Sequence, residues 1–112
     1  MSESLEGIVN RIGINKVPSN NIASISYINM IIHFSGYGLK KDTAQGTYYI
    51  YNLTTSALVG TLYELTNSSK RVTGYDIDIW EPNHKELIEV LNEVSGVRNI
   101  VEYNKPLNLF FN

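Results

Sequence analysis

The chain has 112 residues and no cysteine, which fits a single domain without disulfides or a thiolate metal site. Its formal net charge of −2 differs from the basic surplus that is typical of dedicated nucleic-acid binders. No signal-peptide pattern opens the chain, and no apolar run approaches the ~20 residues of a membrane span. We therefore expect a cytoplasmic protein without a membrane segment, folded as one domain over residues 1–112.

A short amphipathic helix is predicted near the N terminus. Its apolar stripe has helical spacing and consists of Leu5, Ile8, Val9 and Ile12. Ser2 or Ser4 can cap its start, and Gly13 is suited to its end. Because a helix this short is marginal alone, the stripe should dock, either on the sheet of its own chain or on a partner subunit.

Two apolar runs of opposite phase follow over Asn21–Gly36. A turn at Ile28-Asn29 would reconcile them, because Asn tolerates the backbone of a two-residue hairpin. We predict the strands Ala23–Tyr27 and Met30–Ser35, with one bulged strand as the alternative. The polar stretch Gly36–Gly46 is predicted to be a loop that serves either as a ligand or partner loop or as an ordinary mobile connection.

Thr47–Leu53 is aromatic and β-branched, and its apolar residues on both faces predict a central strand. Thr55–Leu65 fits a helix, because its leucines recur at helical spacing, although its Gly60 and β-branched residues also fit a strand. We predict the helix.

Three runs in this part of the chain resemble the KTSC domain, a short module named after the C terminus of some lysyl-tRNA synthetases: Ser19–Tyr27, Ile31–Gly36 and Gly46–Tyr51. Tyr49 and Tyr51 match its Tyr-x-Tyr strand, and Ser69 with Gly74-Tyr75 resembles its last motif. The resemblance covers about residues 19–75 and implies a ββ-β-α core, with RNA binding as the suspected activity.

A β-α-β extension is predicted over about residues 75–112. Tyr75, Ile77 and Ile79 alternate with polar residues, as in a strand with one buried face. Asn83 and Glu86 have the spacing of a capping box, and Gly96 suits the end of the helix that follows. A short strand from Val97 to Tyr103 completes the predicted fold class, α+β.

The apolar tail Leu109-Phe110-Phe111 should be covered, because exposed apolar chain ends favour aggregation. The tail could add a strand to its own sheet or to that of a neighbouring subunit. We expect a homo-oligomer formed by the tail together with the N-terminal helix, most simply with two-fold symmetry.

Tyrosines are the main candidate ligand-binding residues. Tyr27, Tyr49 and Tyr51 are expected on strands of one sheet, where aromatic faces stack on nucleobases. Lys70 and Arg71 would neutralise phosphates beside them, and Ser69 is a further candidate ligand-binding residue. The alternative is that the tyrosines are half-buried structural residues of the sheet.

One acidic cluster resembles a catalytic metal site and contains Asp76, Asp78, Glu81 and His84. Carboxylate oxygens suit Mg²⁺ or Mn²⁺. The spacing matches no established metal motif, and alternating aspartates also suit the solvent face of a strand. We favour the second interpretation and predict no metal, no cofactor and no catalytic residue.

These observations indicate a non-enzymatic binding protein that captures a nucleotide-type small molecule. High Asn, Ile and Tyr content is typical of AT-rich genomes, so a phage or mobile-element protein that sequesters a host nucleotide signal would fit. Three alternatives stay open: an RNA-binding module, a metal-dependent nuclease using Asp76 and Asp78, and an inhibitor of another protein.

Overall fold

The structure, a computed structural model, describes residues 4–81 and 83–102. Within these ranges the chain forms three helices and five strands: α1 (Leu5–Ile12), α2 (Ile25–His33), β1 (Tyr37–Lys41), β2 (Thr47–Asn52), β3 (Leu58–Thr66), β4 (Val72–Ile79), α3 (Lys85–Asn92) and β5 (Val97–Glu102). This confirms the small α+β domain that the sequence predicts.

The strands form one sheet in the order β1-β2-β3-β4-β5. The first four are antiparallel neighbours joined by turns. β5 is parallel to β4, because α3 carries the chain back between them, as parallel pairing requires. The predicted β-α-β extension is therefore confirmed as β4-α3-β5.

All three helices cover the same face of the sheet. α2 contacts both α1 and α3, so the helices form one layer. Their buried side chains join one apolar core with sheet residues such as Ile50, Leu62 and Ile77. Burial of these side chains is the main stabilising contribution, at about 1.5–3 kcal/mol for each large aliphatic group.

The N-terminal helix is confirmed. The Ser4 hydroxyl accepts a hydrogen bond from Gly7 N at 3.1 Å, and Gly13 ends the helix in the left-handed conformation. Leu5, Ile8 and Val9 are buried in the core of their own chain. The apolar stripe of α1 therefore packs against its own chain. The predicted contacts of Leu109–Phe111 lie outside the described residues.

The predicted hairpin Ala23–Tyr27/Met30–Ser35 is wrong, because this segment is the helix α2. Ser24 caps it by accepting from Tyr27 N at 3.1 Å. Its inner face buries Ile28, Ile31 and Ile32. The change of apolar phase therefore reflects a 3.6-residue period rather than a turn between strands.

Gly36–Gly46 is not a continuous loop, since it contains the edge strand β1. The helix α2 lies beside this edge, and the Asn29 side chain accepts a hydrogen bond from Leu39 N at 3.3 Å. That bond occupies a backbone donor that an edge strand would otherwise present to solvent.

The predicted helix Thr55–Leu65 is also wrong, because residues Leu58–Thr66 form β3 between β2 and β4. Val59, Thr61 and Leu62 are all buried, so this strand has buried side chains on both faces. Such a strand shows no clean alternation, and leucines at positions 58, 62 and 65 then imitate a helical stripe. The element order over residues 19–75 is consequently α2-β1-β2-β3 rather than ββ-β-α.

Two details of the last helix differ from prediction. His84 is its N-cap residue and no side chain caps it, so the Asn83–Glu86 capping box is absent. Gly96 lies in the turn before β5 and not at the helix end, since α3 ends at Asn92 with Glu93 as its C-cap residue. None of the helices in the described ranges is long and apolar enough to cross a membrane.

Candidate functional site on the open sheet face

Among the described residues, all three helices lie on one face of the sheet and none covers the opposite face, which we call the open face. Side chains alternate along each strand, so the neighbours of buried Ile50, Leu62 and Ile77 point to this face. Strand register places them in cross-strand rows. The central row runs from β1 to β5 through Lys40, Tyr49, Thr61, Asp78 and Val101. A second row contains Thr47, Tyr63, Asp76 and Asn99.

Four aromatic side chains gather on the open face, and we call them the aromatic platform: Tyr49, Tyr51, Tyr63 and Trp80. Trp80 follows β4 directly and donates its backbone N–H to Val59 O at 2.8 Å, which extends the strand pairing. The Tyr49 and Trp80 rings meet edge to face, with centroids 6.2 Å apart. Thr61 between them is only 3% exposed, so the platform covers the middle of the sheet.

The ends of the platform remain accessible. Tyr63 is 39% exposed, while Tyr49, Tyr51 and Trp80 are half-buried. Half-buried aromatic rings still offer an edge or face to a planar ligand. This combination of a fixed position and a free ring surface is what base stacking requires.

A hollow of about 390 Å³ adjoins the platform near the β1 edge. It is lined by Leu39, Lys40, Tyr51, Ser56 and Leu58. Lys40 is exposed, and none of the described residues that line the hollow carries a carboxylate. The hollow therefore presents one cationic group and two hydroxyl groups beside an aromatic ring.

The Tyr51 ring reaches into this hollow because β1 has a glycine beneath it. Gly38 is the cross-strand partner of Tyr51. A Cβ atom at position 38 would come within 2.7 Å of Tyr51 Cζ. Only glycine allows the end of this ring to lie so close to the β1 backbone.

Tyr49 is anchored at its hydroxyl, which donates to Asp42 Oδ2 at 3.4 Å. The Asp42 carboxylate raises the pKa of Tyr49 above its ordinary value, with smaller contributions from burial and Tyr63. Tyr49 therefore stays neutral at physiological pH and acts as a hydrogen-bond donor.

The structure brings together only some of the predicted ligand residues. Tyr49 and Tyr51 lie on the same face of β2, as expected. Tyr27 does not share their sheet, since it lies in α2, where its hydroxyl is buried and has no hydrogen-bond partner among the described residues. Placing it on a strand was wrong because the whole segment is helical.

Ser69, Lys70 and Arg71 lie in the β3–β4 turn, where the Asn67 side chain accepts hydrogen bonds from Ser69 N and Arg71 N. β3 runs from Leu58 at the hollow to Thr66 at this turn. Its eight residue steps span about 26 Å, at ~3.3 Å per residue. The turn is thus too remote to contact a small molecule that occupies the hollow.

The acidic cluster does not form a metal site. Asp76 and Asp78 face the open side, whereas the ring of His84 bonds to Tyr37, a core residue. Across residues 4–81 and 83–102, no three His, Asp or Glu side chains come close enough to share a metal ion. Carboxylates two residues apart on a strand need a third ligand from elsewhere, and none is placed there.

Sequence reasoning missed three features of the open face. Lys40 and Lys41 are adjacent in the sequence, but strand alternation separates them and directs only Lys40 to the open face. Gly38 matters because it lies against the Tyr51 ring, and Trp80 because its ring contacts Tyr49; both partners are on β2. The alternation Tyr75–Trp80 already places Trp80 in phase with Asp76 and Asp78, and this signal would have identified it.

A hydrogen-bonded pair of side chains on the helix-covered face of the sheet was also not predicted from the sequence. The Tyr37 hydroxyl and His84 Nδ1 are 2.7 Å apart, while His84 Nε2 is buried and has no hydrogen-bond partner in the part of the chain that the structure describes. Burial raises the pKa of Tyr37, and Glu86 and Glu81 add to the effect. The two residues are 47 positions apart, so no local pattern could have linked them.

No family model, curated protein or solved structure matches this chain. The resemblance to the KTSC domain therefore stays a prediction, and the function must be inferred from the geometry of the chain itself.

Proposed function

We propose that this protein is a non-enzymatic binding protein that captures a nucleotide-type small molecule on the open sheet face. The observation that carries the proposal is the placement of Lys40 beside Tyr51 at the edge of the aromatic platform, in a hollow whose described lining residues include no carboxylate. The base would stack on the platform, and the phosphate would lie at Lys40.

Aromatic stacking supplies the affinity for the base. A base on an aromatic side chain contributes about 1–3 kcal/mol. The platform is held in place by the Tyr49–Trp80 contact and by the bond from Tyr49 to Asp42. A ring that is already fixed loses little conformational entropy when the ligand binds.

The charge distribution favours a small ligand over a long nucleic acid. Among the described residues, Lys40 is the cation in the central row, and Asp42, Asp76 and Asp78 surround the rest of the platform. Arg98 lies at the far end, where it donates to Thr73 O at 3.1 Å. A chain of phosphates would cross these carboxylates, whereas a single nucleotide needs only the Lys40 hollow.

A protein that binds without turnover acts by lowering the free concentration of its ligand. This agrees with the sequestering role inferred from the sequence, in the cytoplasm of a host cell. A homo-oligomer would then pair through the tail Leu109–Phe111, because the apolar stripe of α1 is buried in its own protomer.

Calorimetric titration of the full chain with AMP, GMP, CMP and UMP tests the proposal. At least one nucleotide should bind, and Lys40→Glu should weaken binding about tenfold or more, the loss expected for a charge-assisted hydrogen bond. Lys70→Glu is the matched control, since it makes the same charge change in the remote turn. A ligand that binds should also raise the melting temperature of the wild type.

The proposal fails if no nucleotide binds, or if the two charge reversals weaken binding equally. Binding of single-stranded RNA with a steep salt dependence, in place of mononucleotide binding, would indicate an RNA-binding module instead.

A further inference from the structure

Asp78 lies at the centre of the open face, beside Thr61 on β3 and Val101 on β5. It is half-buried, yet its carboxylate forms no hydrogen bond or ion pair with another residue in the described ranges. A partly desolvated carboxylate with both oxygens available is an acceptor for N–H donors of a ligand.

The other two carboxylates around the platform are engaged. Asp76 accepts a hydrogen bond from the Asn99 side chain at 3.2 Å. Asp42 accepts from Thr43 N at 2.7 Å and from the Tyr49 hydroxyl. Of these three carboxylates, Asp78 is thus the one that has no hydrogen-bond partner among residues 4–81 and 83–102.

Asp78 and Lys40 lie in the same cross-strand row, separated by three strand spacings. At ~4.8 Å per spacing, their backbones are about 14 Å apart. Tyr49 and buried Thr61 lie between them, and Trp80 is two residues from Asp78 along the chain. A nucleoside phosphate lying across the strands would place its phosphate at Lys40 and the far edge of its base at Asp78.

From this row we infer that the ligand is a nucleotide whose base carries an exocyclic amino group, and that the Asp78 carboxylate accepts from that group. The inference rests on the proposed function and makes it more specific. Adenine, cytosine and guanine carry such an amino group, whereas uracil has a carbonyl oxygen in the place of the cytosine amino group, and a carboxylate repels that oxygen. Asp78 would therefore select against uracil and hypoxanthine.

Titration with matched pairs tests this selection, because CMP and UMP differ by an amino group against a carbonyl oxygen, as do AMP and IMP. Wild-type protein should bind the amino member of a pair about tenfold more tightly, which is within the discrimination expected for a hydrogen-bonded base edge. Asp78→Asn should bring the two affinities close together, because an amide can accept or donate. The quantity compared is the ratio of the two affinities within each pair. A general effect of the lost negative charge acts on both members of the pair and therefore cancels in this ratio.

Asp76→Asn is the matched control, because Asp76 lies on the same face and is already bonded to Asn99. It should leave the preference unchanged. Equal binding within each pair, or a preference that persists in Asp78→Asn, would overturn the role of Asp78 and leave the proposed function standing. Absence of binding by every nucleotide would overturn both.

Discussion

The ring of Tyr51 lies over Gly38, so close that a Cβ atom at position 38 would meet Tyr51 Cζ at 2.7 Å. This contact joins the edge strand to the platform and sets how far the ring reaches into the hollow beside Lys40. The backbone at Gly38 therefore determines the geometry of a side chain on the neighbouring strand.

Gly38→Ala should displace the Tyr51 ring without unfolding the protein, because the end of a tyrosine side chain can move at little cost. We expect nucleotide affinity to fall several-fold while the melting temperature stays nearly constant. Calorimetry and thermal denaturation measure the two effects. In a Tyr51→Leu background the same substitution should lose its effect on affinity, and a persisting effect would contradict the coupling.

Gly60→Ala distinguishes the observed strand from the helix that the leucine spacing predicts. A Cβ atom at this position would collide with the backbone carbonyl of Asp78 on β4, which cannot move aside. We expect destabilisation of about 2 kcal/mol or more, as for overpacked cores. Urea denaturation measures the change in the free energy of unfolding. If this segment were a helix, the substitution would instead stabilise the protein by about 1 kcal/mol.

Ser24→Ala should destabilise the protein by about 1 kcal/mol, because the Ser24 hydroxyl caps α2 through Tyr27 N. Ser26→Ala is the control, since Ser26 is exposed inside the helix and makes no such bond. Equal effects of the two substitutions in chemical denaturation would argue for the hairpin and against α2.

Stability at high pH should depend on Tyr75. Its hydroxyl donates to Ala23 O at 2.6 Å, and burial, with Glu64 and Tyr48, raises its pKa to about 12 from the ordinary value of 10.0. The folded protein then holds this proton more tightly than the unfolded chain. The protonated Tyr75 hydroxyl therefore makes its full contribution to folding stability below pH ~10, and this contribution is lost as the pH rises through about 12.

Denaturation curves between neutral pH and the alkaline limit would measure this loss. Tyr75→Phe should be less stable near neutrality, because the Ala23 carbonyl loses its partner, and should decline less steeply with rising pH. Tyr63→Phe is the control, since Tyr63 is exposed on the open face. An unchanged slope in Tyr75→Phe would show that other groups control the alkaline transition.

The helices and strands whose apolar residues recur with one clear period could be predicted from the sequence. The stripe of α1 and the alternation of β4 each have one buried face, so their patterns are unambiguous. β3 was not predictable in this way, because burial on both faces removes the alternation. For α2, isoleucines at positions 25, 28, 31 and 32 carried a helical signal, but a shift of strand phase explained the same residues.

The candidate site was also predictable only in part. Alternation along β2 correctly places Tyr49 and Tyr51 on one face. The partners of these residues come from register between strands: Lys40 beside Tyr49, Gly38 under Tyr51, and Asp78 across Thr61. Register depends on the packing of the whole sheet, so a basic pair such as Lys70-Arg71 was as plausible from the sequence as Lys40.

A ¹⁵N–¹H correlation spectrum recorded during titration with AMP tests the central claim most directly, because it locates the ligand on the chain. We expect saturable shifts at Gly38, Lys40, Tyr51 and the Trp80 indole, with the Asn67–Arg71 turn unchanged. Shifts confined to that turn or to the surroundings of His84, or none at any concentration, would contradict capture of this nucleotide on the open sheet face.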